Sequence, residues 1–180
     1  MEMLISPEWL KKKIESEPEE SIEAGSRSIM LESKEALDVA IYIAAKYHKG
    51  QEDKGGEPYI LHPIRVMMGL GLQDYELMAI AVLHDVVEDT DYTLQMLKYR
   101  GFSNRVVDGV DALSIRDNEE RDDYIKRVRS NPDAVRIKIQ DLRDNTDIMR
   151  LLSIEDRDIR RLKLYHKTHM DLKELVCDKN

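Results

Sequence analysis

A run of apolar residues, 77–83, is the feature that most constrains the fold of this chain. It is apolar on every face of a helix, which is typical of a helix buried on all sides. His84 and Asp85 follow it directly, and Glu88 and Asp89 come one helical turn later. Ionisable groups in a buried helix cost free energy unless they are compensated, and a bound cation can compensate an imidazole beside a carboxylate. The run therefore predicts a buried helix that ends in a metal centre.

The composition favours helices over strands. Charged residues make up 36% of the chain and aromatic residues 6%, a mixture that is more typical of helical proteins than of sheet proteins. Helical stripes of apolar residues follow one another from residue 33 onward, and no strand-like alternation interrupts them. We predict an all-α fold, a compact multi-helix globule, over residues 33–176. Residues 1–32 are predicted to be a partly mobile N-terminal extension, with a short helix around Trp9.

Charge and cysteine content exclude several classes of protein. The formal net charge of −8 argues against broad binding to nucleic acid or to anionic membranes. An anionic small substrate stays compatible with it, because a divalent ion can reverse the local field. The single cysteine, Cys177, excludes an intrachain disulfide framework and a thiolate zinc cluster. Neither a signal peptide nor a membrane-spanning run is present, so we expect a cytoplasmic protein. The sequence does not indicate an oligomeric state.

Three further residues are candidate partners of His84 and Asp85. His48 ends a predicted helix on its apolar stripe, and Asp141 lies on the core-facing side of another, with Asn145 one turn later. Two imidazoles and two carboxylates form a mixed nitrogen and oxygen set, which suits Mn²⁺, Fe²⁺ or another octahedral ion. Zinc is less favoured, because no closed tetrahedral set is present.

Each of these groups also has a structural interpretation. A lone inward histidine such as His48 is more often a hydrogen-bonded core residue than a ligand, and Asp141 could pair with a cation of its own helix. Glu88 and Asp89 could form a solvated helix end, although carboxylates there oppose the helix dipole. His62 is predicted to be structural, orienting the turn before a helix. The joint pattern favours a metal, because the structural interpretation must explain every buried ionisable group separately.

Segments 47–51, 56–63 and 83–90 resemble the hydrolase domain of the RelA/SpoT proteins, as does the short segment 107–110. That domain belongs to the HD-domain metal-dependent phosphohydrolases, all-α proteins that include small single-domain alarmone hydrolases. The resemblance covers roughly residues 33–170. It implies one divalent metal ion, typically Mn²⁺. The residues that match the metal ligands are His48, His84, Asp85 and Asp141.

The same resemblance implies roles around the metal. Glu88 and Asp89 match the pair that activates water, Asn145 matches a residue near the ribose, and Lys54 matches a basic residue of the nucleotide pocket. The cations that we expect to offset the charge of a leaving pyrophosphate are Lys54, Arg65 and Arg143.

The chain departs from the RelA/SpoT pattern at two places. Asp53 precedes Lys54 where the family usually carries an arginine against the guanine, and a carboxylate cannot stack on a base as a guanidinium does. After Asp141 the order is Leu-Arg-Asp-Asn, where the family usually reads Arg-Leu-His-Asn. We therefore expect the metal chemistry to transfer better than the guanine preference. An Asp53→Arg substitution is expected to lower the KM for ppGpp.

These patterns predict a metal-dependent phosphohydrolase that acts on a small nucleotide, with ppGpp 3′-pyrophosphohydrolase as the leading hypothesis. One alternative is a phosphatase for another nucleotide or dinucleotide phosphate. A second is a catalytically silent domain that binds a nucleotide or a partner protein.

Overall fold

The structure is a computed structural model, and it describes residues 30–71 and 74–177. Its helices are α1 (Ser33–Tyr47), α2 (Leu61–Gly69), α3 (Tyr75–Leu83), α4 (Val86–Asp89), α5 (Leu94–Tyr99), α6 (Asn104–Leu113), α7 (Arg121–Ser130), α8 (Pro132–Asn145) and α9 (Asp156–Cys177). A 3-10 helix spans Ile148–Arg150. In the described ranges no strand forms beyond an isolated bridge between Glu52 and Pro58. The all-α prediction is confirmed, whereas the helix predicted around Trp9 lies outside the described residues.

Helix α3 forms the centre of the core. Every residue from 77 to 83 is buried, and α1, α2, α6 and α8 pack around it. Asp74 caps its first turn by accepting a hydrogen bond from the backbone N–H of Leu77 at 3.1 Å. Helix α6 approaches closely, because a Cβ atom at Gly109 would lie only 2.7 Å from Cδ1 of Ile80. The predicted buried helix is confirmed.

The buried helix ends where its polar residues begin. Helix α3 stops at Leu83, and the four-residue α4 starts at Val86. His84 and Asp85 occupy the turn between the two helices with right-handed helical backbone angles, φ −58° and −101°. This turn brings both side chains from the core to the base of a cavity.

Helix α8 supplies the opposite wall of that cavity. Asn131 caps it by accepting hydrogen bonds from the N–H groups of residues 133 and 134, and Pro132 occupies its first turn, where its missing N–H is not needed. Ile137 faces the core, and Asp141, one turn later, is buried. None of the described helices combines the length and apolar character that crossing a membrane requires.

Candidate metal centre and nucleotide cavity

Three segments bring buried imidazole and carboxylate groups together. The ligand atoms of His62, His84 and Asp141 all lie within 4.8 Å of one another. Nε2 of His62 is 3.2 Å from Oδ1 of Asp141, and Nε2 of His84 is 3.7 Å from the same oxygen. Asp85 borders this cluster, with Oδ2 3.1 Å from Nε2 of His84 and 3.4 Å from Nε2 of His62. Such a group could hold a metal ion.

Two histidines present an unpaired nitrogen. Nδ1 of His84 is 2.7 Å from the carbonyl oxygen of Ala81, and Nδ1 of His48 is 2.7 Å from Oε1 of Gln51. Each Nδ1 faces an acceptor and donates to it, so Nε2 is the nitrogen that is left for another partner. Both Nε2 atoms are buried without a hydrogen-bond partner in the described structure. A metal ion is the partner that such nitrogen atoms suit.

His62 has different surroundings. Its Nδ1 is 2.7 Å from Oδ2 of Asp144, while its Nε2 faces Asp141 and Asp85. Burial lowers the pKa of His62, but hydrogen bonds with Asp141, Asp144 and Asp85 outweigh it and raise the pKa to about 11. The ring of His62 can therefore donate from both nitrogens.

The two carboxylates of the cluster are held in the charged form. Burial raises the pKa of Asp85, but His84 and His62 lower it to about 2. Burial likewise opposes ionisation of Asp141, yet its pKa stays well below the usual range because of Lys138 and the two histidines. Nζ of Lys138 lies 2.7 Å from Oδ2 of Asp141. An anionic pair of this kind attracts a cation.

Glu88 and Asp89 lie beside the cluster and line the cavity. Oε2 of Glu88 accepts from the N–H of Ile115 at 2.9 Å, and Oδ2 of Asp89 accepts from the hydroxyl of Tyr59 at 3.2 Å. Desolvation by the cavity walls and the charge of Asp85 raise the pKa of both carboxyl groups. Raised pKa values suit groups that exchange protons near neutral pH.

The cavity has a volume of about 340 Å³, and its floor is the cluster. The rest of its wall comes from the loop before α2, from the segment around the 3-10 helix and from α9. The lining residues from these segments are Lys54, Asp147, Arg150, Leu151, Arg161 and Tyr165. Asn145 also lines the cavity, but it lies beside the cluster, where its Nδ2 donates to Oδ1 of Asp141 at 2.5 Å. The volume lies in the range of small-molecule sites.

Several curated proteins are similar to this chain, although no protein-family model matches it. It is 37% identical over 128 residues to a guanosine-3′,5′-bis(diphosphate) 3′-pyrophosphohydrolase of Vibrio cholerae, covering 66% of this chain and 18% of the relative. It is 37% identical over 134 residues to the bifunctional (p)ppGpp synthase/hydrolase SpoT of Escherichia coli, covering 69% and 19%. The chain spans less than a fifth of the length of these relatives.

A solved structure, described as a metazoan orthologue of SpoT that hydrolyses ppGpp, shares the fold. The TM-score is 0.64 at 24% identity, and the match covers 76% of this chain and 84% of that one. The chain is an HD-domain protein related to the SpoT and RelA hydrolases.

In this HD domain, the predicted site residues fall into two groups. Those in or beside the cluster or along the cavity wall are His84, Asp85, Glu88, Asp89, Asp141, Asn145 and Lys54. His48 is buried against Tyr59, with ring centroids 4.8 Å apart, and it belongs neither to the compact cluster nor to the lining residues. Arg65 and Arg143 are not among the lining residues of the cavity. Arg65 pairs with Asp144, Nε to Oδ1 at 2.7 Å, and Arg143 is exposed with Nη1 3.4 Å from Oε1 of Gln140.

Sequence reasoning missed several residues of the HD-domain site. His62 was assigned only a structural role, but it belongs to the cluster. Tyr59 bridges two carboxylates, donating to Oδ2 of Asp85 at 2.7 Å. Lys138, by contrast, was a candidate ion-pair partner of Asp141 in the structural interpretation, and it forms that pair. Arg161 and Tyr165, four residues apart on α9, gave no signal beyond an amphipathic helix.

Proposed function

We propose that this HD domain is a metal-dependent phosphohydrolase that removes the 3′-pyrophosphate of ppGpp. One observation carries the proposal: a buried histidine and aspartate cluster lies next to two carboxylates with raised pKa values, on the floor of a nucleotide-sized cavity. The names of the curated relatives support the choice of ppGpp, since several are pyrophosphohydrolases of this compound.

We propose His48, His84, Asp85 and Asp141 as the ligands of one divalent ion, with Mn²⁺ expected. The buried, unpaired Nε2 atoms of His48 and His84 support this set, as do the low pKa values of the two carboxyl groups. His62 is the alternative to His48, because it lies in the compact cluster. When bound, a divalent ion supplies Lewis acidity and makes water more acidic.

The side chains of the chain have separate proposed roles. Glu88 and Asp89 orient the attacking water and accept its proton. The hydroxyl of Tyr59 lies within hydrogen-bond distance of both Asp85 and Asp89 and fixes the position of Asp89 relative to Asp85. Lys54 offsets phosphate charge at the cavity wall, and Asn145 lies on the ribose side. Arg65 and Arg143 were also expected to offset phosphate charge, but this role has weaker support because neither residue lines the cavity.

Mn²⁺ titration by calorimetry tests the ligand set. His84→Ala and His48→Ala should each weaken binding by at least about 10- to 100-fold, whereas His62→Ala should retain most of the affinity. Loss of binding in His62→Ala together with retention in His48→Ala would instead identify His62 as the ligand. Wild-type affinity in His84→Ala would exclude the site altogether.

A substrate panel tests the activity. With Mn²⁺, wild type should convert ppGpp to GDP and release one pyrophosphate per turnover. One observation favours a second candidate, hydrolysis of another nucleotide or dinucleotide phosphate: Asp53 places a carboxylate where an arginine was expected. Turnover of another nucleotide, with none of ppGpp under any divalent ion, would establish that candidate. Metal and nucleotide binding without any turnover would indicate a silent domain.

A further inference from the structure

Four charged side chains join the loop before α2 to the 3-10 helix. We call this set the Asp53–Asp144 network; its members are Asp53, Arg65, Asp144 and Arg150. The two carboxylates are largely buried, with side-chain exposures of 9% and 12%, and the two guanidinium groups are about a third exposed, at 34% and 27%. The network forms one side of the cavity wall, since Asp53 and Arg150 both line it.

Asp53 organises its own loop and holds an arginine. Its Oδ1 accepts hydrogen bonds from the N–H groups of Gly55 at 2.8 Å and Glu57 at 3.1 Å. Its Oδ2 lies 2.8 Å from Nη1 of Arg150 and 3.4 Å from Nη2 of Arg65. Both oxygens of the carboxylate that replaces the expected arginine are therefore engaged by protein groups.

Asp144 holds the same arginine from the other side. Its Oδ2 lies 3.1 Å from Nη2 of Arg150, and its backbone oxygen accepts from that nitrogen as well. The loop also touches the 3-10 helix directly, since a Cβ atom at Gly55 would lie 2.6 Å from the carbonyl oxygen of Arg150. Arg150 is thus fixed by three hydrogen bonds before any ligand arrives, which lowers the entropic cost of binding.

The position and charge of Arg150 indicate which part of a ligand it meets. Asp144 lies between Arg150 and His62 of the cluster, so one carboxylate separates the guanidinium of Arg150 from the cluster. A phosphate that reaches the cluster leaves the nucleoside to extend along the cavity wall that Arg150 lines. The two carboxylates neutralise Arg150, which makes it a poor phosphate clamp but leaves a planar donor that can contact a base or a ribose.

We propose that Arg150 contacts the nucleoside part of the substrate, and that Asp53 and Asp144 are positioning residues that hold its guanidinium at the cavity wall. The inference rests on the proposed function in taking the substrate to be a nucleotide. Arg150, supplied by the 3-10 helix, is then the arginine that contacts the nucleoside. We call the cavity wall formed by the Asp53–Asp144 network the nucleoside end. A carboxylate at position 53 is compatible with such a site, because it holds Arg150 in place.

Binding of two fragments to the Mn²⁺-loaded full chain tests this assignment. Calorimetry would compare GDP, which contains a nucleoside, with inorganic pyrophosphate, which does not. Arg150→Gln should weaken GDP binding by about 10- to 100-fold, the usual effect of losing a hydrogen bond to a charged group, and should change pyrophosphate binding by less than about twofold. Asp53→Asn should weaken GDP binding in the same direction but less. Arg116→Gln, which removes an exposed arginine paired with Asp111, is the matched control and should leave both affinities unchanged.

Several outcomes would overturn the inference. Unchanged GDP affinity in Arg150→Gln would do so, and so would equal weakening of GDP and pyrophosphate, which would indicate a phosphate clamp. If Arg150→Gln does not fold, Arg150→Lys serves instead, because it keeps the charge but loses the planar fork; wild-type GDP affinity in that variant rejects the nucleoside contact. Failure of wild type to bind GDP also rejects it.

The two proposals fail separately. Hydrolysis of ppGpp by wild type, with GDP affinity independent of Arg150, would reject the Arg150 contact and support the proposed activity. Absence of ppGpp turnover, with GDP affinity that depends on Arg150, would reject ppGpp as the substrate and support the contact between Arg150 and the nucleoside.

Discussion

The two ends of the cavity are built in different ways. At the metal end, where the His62, His84 and Asp141 cluster lies, His84 follows α3 and Asp141 lies within α8, while the proposed ligand His48 follows α1. At the nucleoside end, a loop and a 3-10 helix are joined by ion pairs, and Asp53 and Arg150 are 97 residues apart. Helix packing positions the first set, whereas charges position the second. The comparison shows that helical spacing in the sequence predicts the metal end, whereas only tertiary contacts determine the nucleoside end.

The two ends also differ in charge balance. At the metal end, two described cations face the four carboxylates of Asp85, Glu88, Asp89 and Asp141: the ammonium group of Lys138 and the imidazolium of His62, whose pKa is raised to about 11. At the nucleoside end, two carboxylates face two guanidinium groups. The first end gains from a divalent cation, and the second is balanced by its own side chains. Changes at the metal end should therefore act on chemistry, and changes at the nucleoside end on stability and substrate affinity.

The largest expected effect is the loss of the proton-accepting carboxylates. Glu88→Gln and Asp89→Asn should each lower kcat for ppGpp by about 10²- to 10⁴-fold, the usual contribution of a general acid or base. Mn²⁺ affinity, measured by calorimetry, should stay close to that of wild type. The neighbouring exposed Asp91→Asn is the control and should retain activity. Equal loss of metal binding and turnover would show that these carboxylates are ligands rather than proton acceptors.

Removing the centre of the Asp53–Asp144 network should reduce stability strongly. Asp144→Ala removes one carboxylate partner from each of Arg65, Arg150 and His62, and losing one partner of a buried ion pair costs roughly 3–5 kcal/mol. We expect about 3 kcal/mol, the low end of that range, because Arg65 is partly exposed. Urea unfolding measures the change. Asp123→Ala, which removes the exposed partner of Lys126, should leave the unfolding midpoint unchanged, and equal midpoints for the two variants would contradict the prediction.

Metal removal should act on the metal end alone. An ion present at about a hundred times its dissociation constant adds roughly 2.7 kcal/mol if it binds only the native state. Thermal unfolding with and without Mn²⁺ should then differ by roughly 5–10 °C for a chain of this size. Asp53→Asn should lower both melting temperatures and keep their difference. A smaller difference in that variant would show that the two ends are coupled.

A moderate effect is expected for Tyr59, which connects the metal end to its proton acceptor. Tyr59→Phe removes the hydroxyl that donates to Asp85 and Asp89. Net hydrogen-bond energies near 1–1.5 kcal/mol correspond to about a 10-fold loss in kcat, with a smaller change in Mn²⁺ affinity. Tyr42→Phe on α1 is the matched control. Unchanged kcat in Tyr59→Phe would show that Asp89 needs no support from this hydroxyl.

The smallest effect is expected for Asp53→Arg, where the structure reverses the sequence-based expectation. The substitution places a third guanidinium beside Arg65 and Arg150 and removes the acceptor of two loop N–H groups. The KM for ppGpp should rise by roughly 3- to 10-fold with little change in kcat, the signature of weaker uniform binding. A lower KM would restore the original expectation and argue against Asp53 as a positioning residue.

Much of the metal end could be predicted because it depends on local pattern. The apolar run 77–83 identified the buried α3, and its polar end placed His84 and Asp85 in the core. Periodicity also placed His48 and Asp141 inward, and both are buried. These inferences need only helical spacing and the cost of burying ionisable groups.

Tertiary structure alone decided the rest. His62 looked like a turn residue, yet its contacts with Asp85, Asp141 and Asp144 bring it into the cluster. Arg65 looked like a phosphate-binding residue, but it is committed to an ion pair. Arg150 gave no signal in the sequence, because its partner Asp53 lies 97 residues away. Helical period and burial act over one turn and can be derived from sequence, whereas an ion pair between distant segments exists only once packing brings them within about 3 Å of each other.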